Sequence, residues 1–301
     1  MKHLENLLIY TCLMIMALSS CGDEPEADDI RYLPAAAPAD TCSYVDDPLW
    51  KRHHDSCLKI LAIGNSFTIN ATTYMPWLID RLNGDSICIA RITRSGCSLD
   101  MHWASHAADT PDYDLYYSDN SGWVLSDIKT LDRALTFFDW DIITIQQASG
   151  WSGLYFTYQP YLDNLVRLFH ETNPGALLAW HYTWAYTSWT QHSEFKNYDR
   201  NPEKMYRAII EAGDKASADL DLRIPSATLI KRMREEFPEV ENGFSSDGYH
   251  IIDDFALYAL SSLWYEVLIS PLTDTYCLDA TTLPPSVSDI GMDKVDEIIR
   301  V

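Results

Sequence analysis

Four short segments carry residues whose types and spacing suit nucleophilic chemistry. Gly64-Asn65-Ser66-Phe67 follows a short apolar run. A serine on a strand-to-helix turn lies where backbone N–H groups and the helix dipole favour developing negative charge. That suits a nucleophile, although a serine there also serves as a plain N-cap. Ser95-Gly96-Cys97-Ser98 follows the next apolar run, and Gly96 either presents its N–H to an oxyanion or makes a simple turn. Gln146-Gln147-Ala148-Ser149 follows a third run. Burying an amide without a partner is costly, so these glutamines either satisfy neighbouring loops or aim a donor into a site. Asp247-Gly248-Tyr249-His250 precedes a long apolar stretch. At that spacing a carboxylate can hold an imidazole while the imidazole meets a hydroxyl.

These segments need elements that bring them together. Apolar, β-branched runs predict strands at Leu58–Ile63, Ile87–Ile92, Ile142–Ile145, Ala176–Trp180 and Leu222–Ile224. Amphipathic stretches predict helices at Ala71–Leu82, Asp127–Phe138, Tyr161–His170, Pro202–Leu220 and Asp253–Leu268, the last with Asp253 as N-cap. Alternating apolar strands and helices predict an α/β fold, a three-layer α/β/α sandwich with a central parallel sheet. Ligands of such sheets sit at the carboxyl ends of the strands, and all the segments above follow strands or precede the last long helix.

The order of the segments resembles the SGNH (GDSL-like) hydrolase superfamily, whose fold is flavodoxin-like. More narrowly, Ile60-Leu61-Ala62-Ile63-Gly64-Asn65-Ser66-Phe67 and the segment from Trp140-Asp141 to Gln146-Gln147 and Ser149 resemble a group of secreted Bacteroidetes domains. The resemblance covers roughly residues 58–269. It implies Ser66 as nucleophile and, through its own N–H, as an oxyanion donor. It implies Gly96 as the second N–H donor, His250 as general base and Asp247 as its orienting group. The superfamily's third block carries an asparagine as a further donor, where this chain has glutamines. Gln146 comes first after the strand and is the expected substitute, with Gln147 as second choice, because alternating positions cannot both enter the site. The resemblance implies a serine acyl-ester hydrolase that needs no metal or other cofactor.

Trp180, His181, Tyr182, Trp184, Tyr186 and Trp189 crowd the end of the fourth strand, on the edge that carries Ser66. Aromatic faces stack on sugar rings, so an acylated saccharide is the expected substrate, with core packing as the plainer explanation of each ring. Asn65, His102, Trp180, His181 and Trp184 are the candidate substrate contacts. His102 and His106 share a helix-like spacing, but Trp103 stands where a zinc protease needs glutamate. His53 and His54 read as a solvated leader pair. Phosphate-cradling glycine motifs are lacking.

The 301 residues hold 44 acidic and 22 basic side chains, a net charge of −22. This argues against nucleic acid or an anionic membrane as partner. Apolar residues make up 47% of the chain and tryptophans number ten, enough for a sizeable core. The apolar run Leu7–Leu18 is too short to span a bilayer and ends in Leu18-Ser19-Ser20-Cys21, which resembles a bacterial lipobox. Residues 1–20 are expected to be a signal peptide and Cys21 the lipidated residue. Residues 21–57 would then form an acidic tether and leader, and residues 58–301 one hydrolase-like domain. The expected location is the outer membrane, by a lipid anchor, facing the periplasm or the cell surface. Export permits disulfides, and Cys42–Cys57 is a conceivable pair because the two are close in sequence. Two other classes share many of these features: a non-catalytic glycan-binding lipoprotein, and a lipid esterase or thioesterase.

Overall fold

A computed structural model describes residues 57–83, 86–119, 122–273, 275–277, 283–288 and 291–300. The expected signal peptide, Cys21, the expected acidic tether, Cys42, His53 and His54 lie outside the described residues.

The chain begins its fold with β1 (Leu58–Gly64), followed by α1 (Ser66–Ala71), α2 (Met75–Leu82), β2 (Ile87–Thr93), α3 (Leu99–Ala108), β3 (Asp114–Asp119) and β4 (Gly122–Leu125). Next come α4 (Leu131–Leu135), β5 (Ile142–Ile145), α5 (Tyr161–Thr172), β6 (Leu177–His181), α6 (Pro202–Ala216), β7 (Leu222–Ile224) and α7 (Ser226–Glu236). The long α8 (Asp254–Leu268), a short α9 (Ser270–Thr273) and α10 (Met292–Arg300) complete it. All five expected strands form. The sheet has seven strands in the order β4-β3-β2-β1-β5-β6-β7.

The sheet is mixed rather than wholly parallel. β2, β1, β5, β6 and β7 run parallel, whereas β3 is antiparallel to β2 and β4 to β3. The parallel strands are apolar nearly throughout because helices cover both faces; β2 and β5 are buried at every position. The β3–β4 edge hairpin instead alternates, with Leu115 and Tyr117 inward and polar neighbours outward. Arg91 ties this hairpin to the body. Its buried guanidinium donates to the Ile69 carbonyl at 3.2 Å and stacks 4.2 Å from the Trp123 ring.

Three expected helices are shorter, Pro202–Leu220 ending at Ala216. Pro76 begins a new helix, so Ala71–Leu82 divides into the end of α1, a turn and α2. Asp127–Phe138 keeps only α4, capped by the Thr130 side chain. Asp253 does cap α8, accepting from the Phe255 and Ala256 amides at 3.1 and 3.2 Å. α8 packs against α1, α2 and α7, while α3 packs against α4 and α5. Among the described residues no helix is long and apolar enough to cross a membrane.

The disulfide joins Cys57 to Cys88, not to Cys42. The parallel register of β1 with β2 pairs Leu58 with Ile87 and Lys59 with Cys88, which brings the Cα atoms of Cys57 and Cys88 to 6.1 Å, within bridging range.

Candidate active site

The sheet order sets the site. β1 runs to β2 on one side and the chain then crosses to β5 on the other, so the connections diverge at the β1–β5 boundary. A crevice at the carboxyl edge is expected there. Ser66 opens α1 directly beyond β1, so its N–H is among the four that have no acceptor inside the helix. Asn65 caps this helix, its Oδ1 accepting from the Phe67 amide at 3.0 Å. Gly96 lies in the turn after β2 with φ +58°, a left-handed conformation suited to glycine. A Cβ there would meet nothing within 4 Å.

Residues 184 positions apart meet at Ser66. His250 Nε2 lies 2.7 Å from Ser66 Oγ, and His250 Nδ1 lies 2.7 Å from Asp247 Oδ2. A carboxylate only accepts, so Nδ1 carries the proton and Nε2 is left to accept from the serine hydroxyl. Asp247 Oδ1 also accepts from the Tyr249 and His250 amides at 2.9 and 2.8 Å. Burial pushes the Asp247 carboxyl up, but its hydrogen bonds with His250 and these amides outweigh that, and the net shift is downward. The carboxylate therefore stays ionised beside the imidazole. Tyr249 and Phe67 flank the His250 ring at 4.3 and 5.9 Å between centroids.

The glutamines are not at the cleft. Gln146 and Gln147 are fully buried. Gln146 Nε2 donates to Asn65 Oδ1 at 2.6 Å, and its Oε1 accepts from Thr68 Oγ1 at 2.8 Å and His181 Nδ1 at 2.7 Å. Gln147 Oε1 accepts from the Leu99 and Ala148 amides at 3.0 and 2.8 Å, and its Nε2 donates to Thr157 Oγ1 at 3.1 Å. Both amides are spent on neighbouring elements, so neither glutamine is placed as the expected third oxyanion donor.

The candidate substrate contacts are corrected too. Asn65 is 2% exposed, its Nδ2 donating to the Cys97 carbonyl at 3.0 Å, which joins the Ser66 turn to the Gly96 turn. Trp180, His181 and Trp184 are buried core residues. Trp184 stacks on Phe67 at 4.3 Å. His102 is buried in α3 against the Tyr113 hydroxyl at 2.9 Å. Burial pushes both His102 and His181 down to about 3, so both are neutral. His106 turns instead to Asp132 at 2.9 Å. Of the aromatic group after β6, Trp189 alone among the described residues is strongly exposed, at 40%. A cavity of about 480 Å³ lies between α5 and α6, but its lining includes none of Ser66, Asp247 or His250.

A family model described as a domain of unknown function, DUF4886, matches residues 59–280. The chain belongs to the DUF4886 family. A crystal structure of a DUF4886 protein from Bacteroides uniformis shares 29% identity, covers 81% of this chain and 93% of that one, and superposes with a TM-score of 0.72. A protein from Slackia heliotrinireducens described as a candidate SGNH hydrolase is 19% identical, covering 70% of this chain and 99% of that chain with a TM-score of 0.48. A catalytic mutant of an acetylxylan esterase from Geobacillus stearothermophilus is 11% identical, covering 70% and 94% with a TM-score of 0.43. No curated protein matches this DUF4886 chain.

Proposed function

We propose that this protein is a serine acyl-ester hydrolase. The observation that carries the reading is the continuous relay from Ser66 Oγ through His250 to Asp247, with both hydrogen bonds at 2.7 Å. His250 takes the Ser66 proton as Oγ attacks the ester carbonyl. The carbonyl oxygen gains negative charge and is held by the Ser66 and Gly96 N–H groups. His250 then returns the proton to the departing alkoxide, leaving an acyl group on Ser66. Water, activated by the same imidazole, releases the acid and restores the serine.

The finer reading is a carbohydrate O-acetyl esterase. Its support after the burial of the other rings is Trp189, exposed in the segment beside Asp247, and the chain's net charge of −22, which favours a neutral substrate. A non-catalytic glycan binder on this fold has no need of a serine hydrogen-bonded to an oriented histidine, so the relay favours the enzyme. Export as a lipoprotein through Cys21 completes the proposal, and the Cys57–Cys88 disulfide supports a location outside the reducing cytosol.

The test is hydrolysis of p-nitrophenyl esters of increasing chain length, followed by acetate release from O-acetylated oligosaccharides. Turnover of acetyl esters and failure of long acyl esters is the expected result. A preference for long chains replaces the saccharide reading with a lipid esterase.

A further inference from the structure

The segment after β6 holds polar groups that the reaction itself leaves unused. Trp184, Thr187 and Thr190 stand at a constant spacing and are all buried. They face the loop that carries the acid–base pair. The Trp184 indole N–H donates to the Tyr249 carbonyl at 2.7 Å. The Thr187 amide donates to the Gly248 carbonyl at 2.8 Å. The Thr190 hydroxyl donates to the Asp247 carbonyl at 2.8 Å. Consecutive carbonyls of one segment are thus taken, in reverse chain order, by every third residue of the other.

The two segments approach closely. Gly248 has φ +90°, and a Cβ on it would stand 2.6 Å from Thr187 Oγ1 and from Thr190 Cβ. Arg234 of α7 braces the same pair from behind, donating to the Ala185 carbonyl at 2.7 Å and the Gly243 carbonyl at 3.2 Å. From the other side Asn70 Oδ1 accepts from the Ile251 amide at 3.1 Å. The bonds inside the loop, from the Tyr249 and His250 amides to Asp247, give it shape. They do not fix where it stands relative to Ser66, which belongs to a different element. The bonds from Trp184, Thr187 and Thr190 fix it on the segment after β6, and the Asn70–Ile251 bond ties it to α1, the helix of Ser66.

We propose that Thr190 and Trp184 are positioning residues that hold the Asp247–His250 segment at the distance where His250 meets Ser66. This rests on the reading of Ser66, His250 and Asp247 as the catalytic set. Neither side chain touches substrate in this account; each acts through a carbonyl of the loop. Removing the Thr190 hydroxyl leaves the Asp247 carbonyl without its donor, and the loop can then drift. A displacement of about 1 Å at a catalytic group costs on the order of 100-fold in rate.

The experiment compares wild type, Thr190→Val, Thr190→Ser, Trp184→Phe and Ser66→Ala in the full chain. Turnover of p-nitrophenyl acetate and amide hydrogen exchange of residues 245–251 are read together. Thr190→Val and Trp184→Phe are expected to lower kcat by about 10–100-fold with KM within about twofold. Exchange at 245–251 is expected to accelerate while β1 and α8 stay protected. Thr190→Ser restores the hydroxyl and should keep most of the rate. Wild-type kcat and unchanged exchange in folded Thr190→Val or Trp184→Phe overturn the proposal, as does an equal loss in Thr190→Ser. Should Thr190→Val fail to fold, Trp184→Phe carries the same comparison, because phenylalanine keeps an apolar ring on Phe67 and removes the donor. Full activity in Ser66→Ala strikes the catalytic reading alone, since exchange still reports whether the loop is held.

Discussion

Ser66, Gly96, Asp247 and His250 each have an ordinary explanation in isolation, and their identities carry meaning only through the distances between them. Ser66 and His250 are legible in the sequence as candidates because a serine after the first strand and an Asp-x-x-His before the last long helix form an ordered pattern. Which role the glutamines take is not legible in the sequence, for a physical reason. Gln146 and Gln147 follow a fully buried strand, and a buried amide must spend its donors and acceptors wherever they are needed. Here the need is internal: Asn65, Thr68 and His181 on one side, the Leu99 and Ala148 amides on the other. Sequence shows that such a side chain needs partners but not which. Gln146→Ala is accordingly expected to lose about 1–3 kcal/mol of stability, seen in urea denaturation, because it strands Asn65 and His181 groups in the core. Asp247→Asn makes a sharper test of the relay. The asparagine carries no charge to stabilise the imidazolium and can offer an N–H to Nδ1, which leaves the proton on Nε2, the wrong tautomer to accept from Ser66; kcat for p-nitrophenyl acetate should fall by about 10⁴-fold with the fold intact.

At the scale of elements, the five apolar strands were legible because helices cover both their faces, which leaves continuous apolar runs. The β3–β4 hairpin was not, because an edge strand buries one face and writes its pattern in alternate residues such as Leu115 and Tyr117. The same distinction explains the disulfide. Cys42 and Cys57 are close in sequence, but the β1–β2 register decides which sulfurs can meet, and Cys88 is a residue of the neighbouring strand. This bridge closes a loop with a sequence separation of 31, for which chain-entropy arithmetic gives about 3–4 kcal/mol. A Cys57→Ser, Cys88→Ser variant should lose that much in urea denaturation at neutral pH. An unchanged midpoint would mean that the β1–β2 pairing already fixes these ends without the bridge.

For the whole molecule, packing places the aromatic wealth of the sequence inside rather than around the cleft. Trp180 and Trp184 are candidate sugar contacts in the sequence, yet each lies in the core, and the Trp184 indole N–H donates to the Tyr249 carbonyl. Burial also sets the response to acid. His102 and His181 stay neutral in the fold down to about pH 3, whereas in the unfolded chain each takes up a proton near its ordinary value of about 6.5. Unfolding therefore absorbs protons between those values, and stability falls as pH drops through that window, by about 1.4 kcal/mol per pH unit for each histidine. Denaturation midpoints at pH 7, 6 and 5 should decline in step; a flat profile across that range would contradict the buried neutral imidazoles.

The most direct measurement of the central claim is covalent labelling with a fluorophosphonate, read by intact mass and by peptide mapping. The relay through His250 and Asp247 predicts one adduct, on the peptide that contains Ser66. That adduct should be absent from Ser66→Ala and form far more slowly in His250→Ala. Absence of any adduct on the folded wild-type protein, or an adduct elsewhere with esterase activity intact in Ser66→Ala, would contradict it.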